Sequence, residues 1–116
     1  MSQALQIRIA DYTSVEDDDL GRESIGYFPG ITPEEAWEAG RGVWRLDVNR
    51  IIKNGISLVR IINTKGLILA EAYITGFDRY GDRVALNGVL LKDSPNIGKI
   101  TEVEQTSRNS VAYIEL

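Results

Sequence analysis

The sequence predicts a mainly β (α+β) domain, a small curled sheet or barrel of about six strands with one or two short helices. Three observations carry this. Several stretches alternate apolar and polar residues, the period of a strand with one buried face. The clearest helix-start signal in the chain is the short run Thr32-Pro33-Glu34-Glu35. Finally, the stretch around residues 58–62 is apolar on both sides, with Val59 and Ile61 against Leu58 and Ile62. That favours a sheet that curls and is plugged by a helix. At 116 residues the chain is expected to form a single domain, 1–116.

The elements follow in order. Residues 5–11 alternate Leu5, Ile7 and Ile9 with Gln6 and Arg8, a half-buried strand. Residues 13–30 are polar and contain the acidic run Glu16-Asp17-Asp18-Asp19, which reads as a long loop. A helix is expected over 33–39. Thr32 is its cap, Pro33 fits the first position, Glu35 completes a capping box, and Gly40 stops it. Ile31 and Ala36 stand at staple positions. Two turns of helix do not hold alone, so Ala36 and Trp37 must pack.

Residues 42–46 read as a short strand or extended loop, and 47–53 as a helical turn capped by Asp47. Strands are expected over 56–63 and 67–75, joined by Asn63-Thr64-Lys65-Gly66 with Gly66 at positive φ. A turn region covers 76–82 around Tyr80-Gly81-Asp82. Residues 83–91 form the next strand, with Gly88 marking a bulge. The final strands are 99–105 and 111–116.

Composition excludes more than it suggests. Hydrophobic residues are 43% and charged residues 26%, ordinary for a globular chain. No apolar run approaches the ~18 residues of a membrane span, so no membrane association is expected. No basic n-region followed by an apolar h-region opens the chain, so no secretory signal is expected. There is no cysteine and no histidine. Disulfides are therefore impossible, which fits a cytoplasmic location. Ser-His-Asp and Cys-His nucleophilic systems are excluded, as are Cys/His zinc sites. A general base would be a carboxylate, lysine or tyrosine, and a metal would need oxygen ligands. No cofactor is expected.

Charge is unevenly placed. Residues 41–66 hold six bases against the single acid Asp47, a local +5. The first forty residues hold two bases against nine acids, a local −7. A basic segment bearing Trp44 thus sits inside a chain of net charge −4. Arg offers a planar fork for phosphate, Trp a stacking face for a base, and Gly42 lets a ligand approach the backbone. Trp44 reads first as a core residue of a small barrel and second as an exposed platform. If 41–45 is a strand, Arg41, Val43 and Arg45 share one face and Gly42 and Trp44 the other, unless the chain bends at Gly42. Arg60 is expected on a solvated strand face. Asn109 is either a turn residue or a polar group reading a base edge.

The acids give no catalytic pattern. The run at 16–19 lacks the ligand spacing and closing Glu of an EF-hand loop, so it reads as a solvated loop or an electrostatic mimic of nucleic acid. Glu102 and Glu104 share a strand face and Glu71 lies on a neighbouring strand. The Glu-x-Lys pair of a metal-dependent nuclease is absent.

Several stretches together resemble small bacterial PUA-like domains, the superfamily that includes the EVE and YTH modified-base readers. They are Ala36-Trp37-Glu38-Ala39-Gly40-Arg41-Gly42-Val43-Trp44-Arg45-Leu46, residues 58–76, Arg83-Val84-Ala85-Leu86-Asn87-Gly88, Gly98-Lys99, and Arg108-Asn109-Ser110-Val111-Ala112-Tyr113-Ile114. The resemblance covers roughly 36–114 and lies in spacing and character. The ASCH-type Gly-x-Lys-x-x-Glu-x-Arg motif is missing. The resemblance implies a small PUA-like β-barrel that binds a nucleobase or nucleic acid, often beside restriction-type nucleases. It implies Trp44 as a pocket wall, Arg41 and Arg45 as phosphate or base contacts, and Asn109 as an edge reader. A pI near 4.8 argues against tight sequence-independent binding.

The expected function is a non-enzymatic, PUA-like binding module for a nucleobase, nucleotide or nucleic acid, linked to restriction or defence systems. Its expected ligand-binding residues are Arg41, Gly42, Trp44, Arg45 and Asn109. The rival is a protein-protein interaction protein, such as a phage-encoded inhibitor, using the acidic N-terminal region. A carboxylate- or lysine-based enzyme is a third reading. Open sheet edges favour self-association, so a homodimer is expected.

Overall fold

The computed structural model describes residues 3–11, 13–14, 24–105 and 109–116. Its elements are β1 (Gln3–Arg8), β2 (Thr13–Ser14), β3 (Ser24–Ile25), α1 (Pro33–Gly40), α2 (Val48–Lys53), β4 (Leu58–Ile62), β5 (Ile68–Tyr80), β6 (Arg83–Leu90) and β7 (Val111–Glu115). Five strands form a mixed sheet in the order β6-β5-β4-β1-β7. β1 and β4 run parallel, and both helices lie in the crossover between them. The other pairings in this sheet are antiparallel. The fold is mainly β, as the sequence predicts. Of the two architectures expected, the open sheet is the one formed: β6 and β7 are its two edges, and it does not close into a barrel.

Strand alternation gives the sheet two different faces. On one face the registers Leu5–Val59–Ala72 and Ile7–Ile61–Ala70 stack in rows. These pack with Ala36, Trp37, Ile51 and Leu86 into the core, under α1 and α2. Each such Leu or Ile contributes about 1.5–3 kcal/mol by leaving water.

The opposite face carries a row of polar residues, Gln6–Arg60–Glu71, all at most 2% exposed. The chain from 91 to 105 covers them. It is tied down by Ile68 N–H to the Lys99 carbonyl (2.8 Å), Gly98 N–H to the Ile68 carbonyl (2.9 Å), and Thr101 N–H to the Gly66 carbonyl (2.9 Å). Arg60 is therefore not on a solvated face, as alternation alone suggested. The covering chain, remote in sequence, buries it.

The helix ends follow the sequence signals. Thr32 accepts from Glu35 N–H (3.2 Å), and the Glu35 carboxylate accepts from Thr32 N–H (3.0 Å), closing the capping box. Asp47 caps α2 through Arg50 N–H (3.0 Å). Gly40, expected to stop α1, is instead its last residue, and the cap is Arg41 in ordinary right-handed geometry. A glycine stands at 40 for a packing reason: a Cβ there would lie 2.6 Å from Ile61 Cδ1.

Other boundaries shift. β5 runs on to Tyr80, so 76–82 is mostly strand, and only Gly81 and Asp82 turn, with Gly81 at φ 65°. The bulge expected at Gly88 lies across from it, where the register skips Thr75 between Ile74 and Gly76. The strand expected over 99–105 is reduced to one bridge, Leu67 with Ile100, because this segment turns inward at Thr101 to meet the polar row. Within 13–30, β2 and β3 pair as a two-residue ladder. The acidic run at 16–19 lies outside the described residues. The Asn63–Gly66 turn forms as expected, with Gly66 at φ 83° and Asn63 Oδ1 accepting from Lys65 and Leu67 N–H (both 3.0 Å).

Candidate functional site

The basic segment leaves α1 and stitches itself to the outer edge of β6. Leu86 N–H donates to the Arg41 carbonyl (2.7 Å). Trp44 and Val84 exchange two backbone bonds of 2.9 and 2.7 Å. The peptide from Gly42 to Val43 is cis. Of the short strand or extended loop expected over 42–46, the extended loop is formed, with one bridge.

The five residues singled out from sequence part company here. Trp44, Arg45 and Asn109 line one cavity of about 320 Å³, together with Arg83, Ser110, Val111 and Tyr113. Arg41 and Gly42 do not line it. The Arg41 guanidinium is held by Glu38 (3.2 Å), the Leu86 carbonyl (3.2 Å) and Asn87 Oδ1 (3.4 Å). It is a clamp between α1 and β6. Gly42 is buried against β6, where a Cβ would stand 2.7 Å from Ala85 Cβ. Its small size serves packing, not the approach of a ligand.

Trp44 is both things the sequence left open. It is half-buried and packs against the core, and its indole N–H donates to the Gly40 carbonyl (2.7 Å). It also lines the cavity. The Tyr113 hydroxyl accepts from Asp47 N–H (3.3 Å), and the Arg50 guanidinium lies 3.9 Å from its ring centroid. α2 thereby fixes the second aromatic residue of the cavity.

Arg83, Ser110, Val111 and Tyr113 line the cavity without having been singled out from the sequence. Trp44 and Val84 are a hydrogen-bonded antiparallel pair. Arg45 follows Trp44 and Arg83 precedes Val84, and both arginines line the cavity. Arg45 meets Asp82 at 3.5 Å, with side chains 74% and 75% exposed. Arg83 has no ion-pair partner among the described residues. Among the described residues, no carboxylate lines the cavity. Its chemistry is two guanidiniums, two aromatic rings, two hydroxyls and an amide, a set suited to holding an anion with an aromatic body.

A larger cleft, about 700 Å³, lies on the polar-row side between Leu58, Tyr73, Leu91, Ser94 and Asn96, with Glu71 in its wall. Glu71 is fully engaged there. Its Oε2 accepts from Arg60 Nε (2.9 Å), and its Oε1 accepts from Ser94 Oγ and Asn96 Nδ2. Burial alone pushes the carboxyl upward, but the bonds from Ser94, Asn96 and Arg60 and the Arg60 charge together hold it below the usual glutamate value. A carboxylate so completely satisfied has nothing left to offer a ligand. The smaller cavity, with its unneutralised Arg83, is the better site despite its size.

The other described acids form no cluster. Glu102 is exposed and accepts from Arg60 (3.3 Å). No group of three or more His, Cys, Asp or Glu side chains able to hold a metal occurs among the described residues. No described helix is long and apolar enough to cross a membrane. Comparison with known proteins finds no matching family model and no significantly similar curated protein or solved structure.

Proposed function

We propose that the protein is a non-enzymatic, PUA-like binding module for a nucleobase or nucleotide, with the Trp44–Arg45–Arg83–Asn109–Tyr113 cavity as its site. The observation that carries this is convergence. Trp44, Arg45 and Asn109, drawn from two segments far apart in sequence, line one cavity, and it adds a second arginine and a second aromatic residue. A volume of about 320 Å³ is at the small end of ligand sites, the scale of a single nucleotide unit. The aromatic residues supply stacking surface, Asn109 a donor and an acceptor for a base edge, and the arginines a complement to phosphate. The acidic whole disfavours non-specific duplex binding, whereas a pocket depends only on local charge.

The test is titration at low salt with free nucleotides, short single- and double-stranded oligonucleotides, plain and modified, followed by Trp fluorescence and calorimetry. Saturable binding of a nucleotide or a strand end, abolished by Tyr113→Ala in a protein that still melts cooperatively, is the expected result. No binding to any of these ligands sinks the proposal.

A further inference from the structure

We infer that the ligand of this cavity carries a phosphate held between Arg45 and Arg83, and that Asp82 occupies Arg45 until the phosphate displaces it. The inference rests on the binding reading above and specifies its ligand.

The argument begins with the backbone. The single bridge between Trp44 and Val84 brings their chain neighbours Arg45 and Arg83 to one cavity. Two like charges on the wall of one cavity repel. Both residues line the same cavity, so the repulsion is aimed at one place. The β5–β6 hairpin sets Asp82 immediately before Arg83 in the chain, just after Gly81 at φ 65°. From there Asp82 reaches Arg45 at 3.5 Å. One carboxylate thus answers one of two guanidiniums. A phosphate brings more charge and several acceptor oxygens, and it matches the donor forks of two arginines at once. The Arg45–Asp82 contact is exposed and geometrically loose, so a ligand loses little by breaking it. Asp82 is then a competitor built into the hairpin tip. It lowers affinity for weakly charged ligands and leaves room for a phosphorylated one.

The experiment compares the four ribonucleoside 5′-monophosphates with the four nucleosides, by calorimetry, on the wild type, Asp82→Asn and Arg83→Gln. Arg83 and Asp82 are exposed, so both variants are expected to fold, and thermal melts verify this. The expected result has four parts. At least one monophosphate binds. Its nucleoside binds at least about tenfold more weakly, the scale of a charge-assisted hydrogen bond. Asp82→Asn tightens the monophosphate by roughly twofold to fivefold and leaves the nucleoside unchanged. Arg83→Gln removes the discrimination. Equal affinity for nucleoside and monophosphate overturns the phosphate assignment while the binding module stands. Equal tightening of both ligands by Asp82→Asn overturns the competition. If neither ligand class binds, the reading of the cavity fails and the inference with it.

Discussion

Arg60 and Glu71 stand directly opposite each other on β4 and β5, and Arg60 Nε donates to Glu71 Oε2 across 2.9 Å with the two side chains 2% and 3% exposed. Thr101 and Glu102 take Arg60 NH1 at 3.2 and 3.3 Å. The charge is thus paired and hydrogen-bonded, the condition for burying it. Removing one member leaves the other buried without a partner. Arg60→Ala or Glu71→Ala is expected to destabilise the fold by about 3–5 kcal/mol in urea denaturation. Replacing both, as Arg60→Met with Glu71→Leu, is expected to recover most of that loss. Equal instability of the double and single variants would contradict this account.

The same pair sets a pH dependence. The folded Glu71 carboxyl titrates below its ordinary value of 4.5. A depressed folded value contributes stability that is present above the unfolded pKa and lost as pH falls through the folded one. Glu71→Gln is therefore expected to cost most near neutral pH. Its difference from wild type should shrink once pH drops below the unfolded value toward the folded one. Denaturation curves at pH 7 and pH 3 measure this directly. A difference that grows on acidification would reverse the assigned sign.

Gly42 tests whether the basic segment is built for packing or for ligand approach. Gly42→Ala places a Cβ 2.7 Å from Ala85 Cβ and 2.8 Å from its Cα, a contact that backbone must move to relieve. The expected cost is about 1–3 kcal/mol of stability. Gly76→Ala, with nothing within 4 Å of the added atom, is the control and is expected to be near neutral. Equal melting temperatures for the two variants would remove the packing argument.

Arg41 and Arg83 separate structure from binding. Arg41 bonds Glu38, Leu86 and Asn87, so Arg41→Ala is expected to lose about 1–2 kcal/mol of stability and to keep its nucleotide affinity. Arg83→Ala is expected to do the reverse. Paired melts and titrations distinguish them, and loss of affinity in Arg41→Ala at full occupancy of the folded state would return Arg41 to the site.

Thr32→Ala checks the best local signal in the sequence. It removes the acceptor for Glu35 N–H, and half the capping box with it. The expected loss is about 1 kcal/mol, read as a lower melting temperature.

The features legible in the sequence were those that depend on neighbours in the chain. The Thr32 capping box, the Asp47 cap and the Asn63–Gly66 turn each close within a few residues, so residue type alone specifies them. Alternation was enough for β1, β4, β6 and β7 and for the apolar face holding Leu5, Ile7, Val59 and Ile61. Of the candidate site, the sequence picked out Trp44, Arg45 and Asn109 by residue type. It also picked Arg41 and Gly42, which share their local character and have structural duties instead.

Tertiary structure decided what depends on partners remote in the chain. Arg60 and Gln6 lie on a face that alternation marks as polar, and only the return of residues 91–105 over that face makes it interior. Arg83 enters the cavity because Trp44 pairs with Val84, a register no local pattern specifies. Tyr113 enters because β7 lies beside β1 and α2 fixes its ring. The sequence by itself determined a mainly β chain, its caps and turns, and a basic Trp-bearing segment, since these follow from short-range hydrogen bonding and hydrophobic period. Which of its arginines are buried, which clamp the fold and which face a cavity followed only from long-range register and from the covering loop.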